Sequence, residues 1–184
     1  MTWDLPYSVE IGGESHPIRN KCDYRVVLDV ICALNDNDLT DEEKVKCALI
    51  IFYEDVSKIT DFEAALKAMY RIVSGGEDDG QTNNNNQPLM DWQHDFPQLA
   101  PPISRVLGYD VRTPERYTHW YTFLGGYMEI GECTFSTIVS IRAKRAKGQK
   151  LDKWELDYLR EHRKMVELPQ KLTAEEEELL NSAW

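Results

Sequence analysis

No apolar run in this chain approaches the ~18 consecutive residues of a transmembrane helix, so a membrane-spanning protein is not expected. The opening Met1-Thr2-Trp3-Asp4 carries neither the basic n-region nor the apolar h-region of a secretory leader, and the expected location is the cytoplasm. Cysteine is sparse. Cys22, Cys32, Cys47 and Cys133 form no CxxC pair and no Cys/His spacing of a zinc site. Their apolar, helical surroundings read as reduced, buried thiols acting as small hydrophobes. His16, His94, His119 and His162 fall on different predicted elements without an HExxH, and no Asn or Asp joins His119 and Cys133 to complete a nucleophilic site. Gly12-Gly13 and Gly125-Gly126 lack the frame of a phosphate loop. These absences point away from an enzyme and call for no metal and no cofactor.

What is present is a folded, acidic protein. With 184 residues, 42% hydrophobic content, nine tyrosines and five tryptophans, the chain can bury a real core, as one domain with appendages or as two. The net charge of −11 disfavours general nucleic-acid binding. That charge is uneven: residues 1–110 carry a net −11, residues 111–166 a net +4 and residues 167–184 a net −4. The basic pole therefore sits between two acidic stretches, which suits contact with its own acidic parts or with a partner.

Helical periodicity dominates. Trp120, Phe123, Leu124, Tyr127 and Met128 form one apolar stripe, and Phe135, Ile138, Val139 and Arg142 form a second after a break at Gly131, predicting two antiparallel helices. Thr113-Pro114-Glu115 reads as the start of the first, and Thr134 as the cap of the second. Upstream, alternation in residues 7–11 and the Gly12-Gly13 turn predict a hairpin, with an extended arm as the alternative. Val26, Val27, Val30, Ile31 and Leu34 mark a helix after Asp23. Thr40/Glu43 and Thr60/Glu63 read as capping boxes for two more. Glu77 to Gln87 holds no apolar residue and is expected to be a mobile loop. Pro97, Pro101 and Pro102 predict a kinked helix or two short ones between Pro88 and Leu107, closed by Gly108. Asp152 caps a helix that carries Trp154, Tyr158, Leu159, Met165 and Val166. Thr173 to Glu176 opens a short acidic one that ends at Trp184. The expected fold is mainly α: a bundle of six to eight helices with a small N-terminal β-hairpin, divided into an arm at 1–20, a helical domain at 21–168 with its loop at 77–87, and an acidic tail at 169–184.

Arg142, Lys144, Arg145, Lys147, Lys150 and Lys153 are the strongest electrostatic feature. They read as a solvated helix terminus, a surface for an acidic protein, or phosphate contacts. Arg142 stands on the apolar stripe and needs a partner, Asp91 or Glu129 being the candidates. Gly125-Gly126 suits close helix contact. The tail, with Glu175 to Glu178 ahead of Leu179, Leu180 and Trp184, is expected to dock over the basic pole or on a client, or else to fray. The residues singled out for partner contact are Trp120, Phe123, Arg142, Lys144, Arg145, Lys147, Leu180 and Trp184.

The stretches PLMDWQHDFPQLAPPISRVLGYDVR from Pro88 and HWYTFLGGYMEIGECTFSTIVSIRAKRAKGQKLDKWE from His119, together with DEEKVKCALIIFYED from Asp41, resemble the bacteriophage gene-product-fifteen family. That family belongs to long-tailed phages and prophages of Gram-positive bacteria. The resemblance covers residues 5 to 168 and implies no catalytic residues. It implies a tail assembly chaperone in the host bacterial cytoplasm, absent from the mature virion, that binds the tape-measure protein and other tail assembly proteins and that can form a homo-oligomer. The alternatives are a nucleic-acid-binding protein using the basic run and a structural tail or connector component retained in the virion.

Overall fold

Gly12 and Gly13 take φ of 60° and 87°, which turns the chain tightly enough for β1 (Ser8–Ile11) to pair antiparallel with β2 (Glu14–Pro17). The computed structural model describes residues 4–76 and 88–169; the expected loop at 77–87 and acidic tail lie outside them. Ile11 and His16 face the interior, and β1 packs against a helix, so the hairpin is part of the body and not a free arm. Asn20, Lys21 and Cys22 follow with φ of 48°, 54° and 60°, three left-handed residues in succession and none a glycine. Each such residue costs roughly 1–2 kcal/mol. The turn is held from outside: Tyr117 Oη donates to Lys21 O at 2.8 Å, and Trp120 N donates to Cys22 O at 2.8 Å.

Asp23 caps α1 (Tyr24–Leu34) by accepting from Arg25 N. Thr40 and Glu43 form the expected box at the head of α2 (Asp41–Phe52). At its tail the Arg19 guanidinium donates to the carbonyls of Ile50, Ile51 and Tyr53, at 2.8, 2.9 and 2.8 Å, satisfying acceptors that a helix end leaves open. At α3 (Phe62–Val73) the expected box does not form, and the cap stands one residue later. Asp61, not Thr60, takes the Ala64 N–H, while Glu63 is drawn to Lys67.

Where two short helices or a kinked one were expected, α4 (Trp92–Leu107) is one helix carrying all three prolines. Pro97 and Pro101 lie on its exposed side, whereas Leu99, Ala100 and Ile103 are wholly buried. Burial of such side chains, at ~1.5–3 kcal/mol for each large one, outweighs the lost donors. Gly108 ends the helix at φ 77°, as expected.

The next helix, α5 (Trp120–Met128), begins later than Thr113-Pro114 suggested. The reason is tertiary. Arg25 donates to the carbonyls of Val111, Thr113 and Arg116, which holds residues 111–116 as turns against α1. His119 then supplies the cap, its Nδ1 accepting from Tyr121 N at 3.0 Å. Cys133, not Thr134, precedes α6 (Thr134–Ala146), and Ser136 Oγ accepts from Cys133 N. The anticipated α5–α6 pair is mediated by α4, against which both helices pack, with Tyr127 meeting Phe135 between them. Asp152 caps α7 (Lys153–Glu161) in a box with Glu155. The single helix expected from there breaks at His162, and α8 (Arg163–Val166) follows.

The result is mainly α, with eight α-helices and a two-stranded hairpin among the described residues. One core joins the hairpin to α1–α5 and the head of α6. A smaller one, of Ile138, Ile141, Leu151 and Val166, lies between α6, α7 and α8. Among the cysteines only Cys22 is fully buried, and the other three, expected to be buried, are partly buried.

Candidate partner-binding surfaces

Two of the apolar residues singled out for partner contact are core residues: Trp120 is 1% exposed and Phe123 0%. The stripe that contains them faces inward, against Tyr24 (4.2 Å between ring centroids with Phe123) and Trp92 (6.0 Å with Trp120). Only its far end reaches solvent, at Met128, which is 69% exposed. Gly126 makes this packing possible. A Cβ there would stand 3.2 Å from both Ile103 and Leu107, while one on Gly125 would meet nothing.

Arg142 is buried as well, and its partner is Asp95, not Asp91 or Glu129. Nη1 and Nη2 reach the two carboxylate oxygens at 2.7 and 2.8 Å. The remaining donors go to the carbonyls of Val166 (2.6 Å), Leu89 (3.0 Å) and Met165 (2.8 Å). Asp95 Oδ2 also accepts from Asp91 N at 3.0 Å. A buried charge is tolerable when its whole hydrogen-bonding capacity is used, and that condition is met here. Arg142 therefore bolts α6 to the head of α4 and to the end of α8, and is not available to a ligand.

Much of the basic run is likewise committed. Lys144 pairs with the buried Glu155 at 2.5 Å, which together with Asp152 N holds that carboxyl below its usual pKa. Arg145 lies 3.5 Å from Glu167, whose pKa is lowered chiefly by its hydrogen bond from Arg163. Lys147, Lys150 and Lys153 are exposed and have no carboxylate partner among the described residues. Beside them Trp154 is 55% exposed, its ring 6.4 Å from Tyr158. Leu180 and Trp184 lie outside the described residues.

A second surface went unnoticed in the sequence. Tyr24, Leu28 and Cys32 on α1 face Trp92 and Phe96 on α4 across an open groove of about 620 Å³, rimmed by Arg25, Asp29, Gln93 and Arg112. Tyr24 and Phe96 stack at 6.4 Å. Burial raises the Asp29 carboxyl and, reinforced by Asp29 and Asp91, the Cys32 thiol above their ordinary pKa. Cys32 is thus a protonated, apolar lining group. The available signal was Tyr24, Leu28 and Cys32 at i, i+4 and i+8, an apolar stripe on α1 in addition to the valines that fill its core face.

Among the described residues no three His, Cys, Asp or Glu side chains stand together to hold a metal ion, and no helix is long and apolar enough to cross a membrane. The model of the family described as "Bacteriophage Gp15 protein" matches residues 1–168. No curated protein and no solved structure matches the chain.

Proposed function

The chain belongs to the bacteriophage Gp15 family, and from that premise we propose that it is a tail assembly chaperone of a long-tailed phage or prophage of a Gram-positive host. In this reading it is not an enzyme. It works in the host cytoplasm, holds the tape-measure protein soluble until tail-tube subunits polymerise around it, and is left out of the finished virion. The observation that carries the reading beyond family membership is the groove between α1 and α4. Its floor of Tyr24, Leu28, Trp92 and Phe96 and its charged rim suit the apolar stripe of an amphipathic helix. A long helical client exposes such stripes until it is encased.

Co-expression with the tape-measure protein tests this directly. The client should stay soluble and co-purify with the wild-type chain, and Leu28→Glu, which places a charge on the groove floor, should weaken capture at least tenfold without altering the far-UV circular dichroism. An insoluble client in the presence of the wild-type chain overturns the proposal. So does recovery of the protein in purified virions at the stoichiometry of a tail component, which would make it structural.

A further inference from the structure

We infer that residues 170–184 of the same chain cover the surface made by Lys147, Lys150, Lys153 and Trp154. This inference stands independently of the client. Three lysines and a half-exposed tryptophan lie within eight residues where α6 passes into α7, and most of the nearby acidic groups are engaged: Glu155 by Lys144, Asp157 by Arg160, Glu167 by Arg145 and Arg163, and Asp152 by the Glu155 N–H at the head of α7. The described chain ends at Pro169, two residues beyond Glu167, which is itself anchored 3.5 Å from Arg145. The segment that follows thus starts at the basic end of α6.

Its composition is the complement of the surface. Glu175, Glu176, Glu177 and Glu178 match the lysines, and Leu179, Leu180 and Trp184 offer apolar area to Trp154. Reach is not limiting, because fifteen residues extend to ~50 Å, whereas the nine-residue α7 is about 13 Å long. Tethering raises the local concentration of the segment to the millimolar range, so contacts too weak to hold a free peptide suffice. A nucleic acid is the competing occupant, since unpaired lysines beside an aromatic ring also suit a phosphate backbone and a base. The tethered acidic segment is favoured because the whole chain carries −11 and repels a polyanion from a distance.

Zero-length carbodiimide coupling on an equal mixture of unlabelled and nitrogen-15-labelled full-length protein tests the inference. Peptides joining Lys147, Lys150 or Lys153 to Glu175–Glu178 are expected, with the same isotope on both halves. The exposed Lys67–Glu63 pair serves as the internal control for the reagent. Charge reversal of the three lysines, K147E/K150E/K153E, should reduce burial of the Trp154 ring as read by acrylamide quenching relative to wild type, with Trp184→Phe as background for both proteins. High salt should lower the yield of the joined peptides about tenfold, as expected for several weak surface pairs lost together. Three results overturn the inference: control coupling without the expected links; links of mixed isotope, which assign the segment to a second copy; or displacement of the links by a single-stranded oligonucleotide at physiological salt, which assigns the surface to nucleic acid.

Discussion

Asp95→Asn changes one atom and removes one charge at the point where α4, α6 and α8 are joined. In the native site Oδ1 accepts from Arg142 Nη2, and Oδ2 accepts from both Arg142 Nη1 and Asp91 N. An amide has one oxygen. Whichever way it is turned, its NH2 group faces at least one donor, and the guanidinium, whose side chain is 6% exposed, is left without a counter-charge. Breaking a buried pair from one side costs ~3–5 kcal/mol. For a chain of this size that amounts to a fall of about 6–20 °C in melting temperature. Urea unfolding followed by far-UV circular dichroism gives the free energy, and amide hydrogen exchange gives its location, with the largest loss of protection expected in α6 and α8. Arg142→Met should cost a similar amount, because it strands the carboxylate together with the carbonyls of Leu89, Met165 and Val166. Arg142→Met with Asp95→Leu should recover part of the loss, since apolar replacement of both partners removes the unpaired charge. If Asp95→Asn costs less than ~1 kcal/mol, or if the single changes are additive in the double variant, the site is not the dry, coupled clamp described here.

Gly125→Ala should stabilise by ~0.5–1 kcal/mol through helix propensity, whereas Gly126→Ala should destabilise by ~1 kcal/mol because its methyl group crowds Ile103 and Leu107; paired thermal melts check the difference. Arg19→Ala, which leaves the last carbonyls of α2 without their donor, should cost ~1.5–3 kcal/mol in urea unfolding. Burial holds the His119 imidazole below its ordinary pKa of 6.5, and its Nδ1 must remain unprotonated to cap α5. The unfolded chain therefore takes up the proton first as pH falls, so the His119 contribution is whole above pH ~6.5 and declines below it. His119→Asn keeps a capping oxygen without the titration, and the stability difference between pH 7.5 and pH 5.5 should be smaller in that variant.

The sequence by itself determined the features whose partners are neighbours. Thr40 and Glu43 are three residues apart, as are Asp152 and Glu155. The Gly12-Gly13 turn and the Gly108 cap are properties of single residues in left-handed conformations. Most of the helices and the hairpin could be read in this way because capping and periodicity act within a turn or two of the chain, and the family could be read because its motifs are contiguous. Tertiary structure decided whatever required a residue from far away. Arg142 passes over the nearer Glu129 for Asp95, 47 positions distant. The helical start at Thr113-Pro114 is overruled by Arg25, whose contacts span 86 to 91 positions. Three prolines remain in α4, two of them exposed, because the inward face of that helix, with Leu99, Ala100 and Ile103, is wholly buried. The groove between α1 and α4 has the same origin, since a helix displays its apolar stripes in sequence but only its neighbours decide which stripe is covered. Local chemistry sets the pieces within a few residues, while burial and long-range hydrogen bonds, several kcal/mol at a time, decide which local preferences survive.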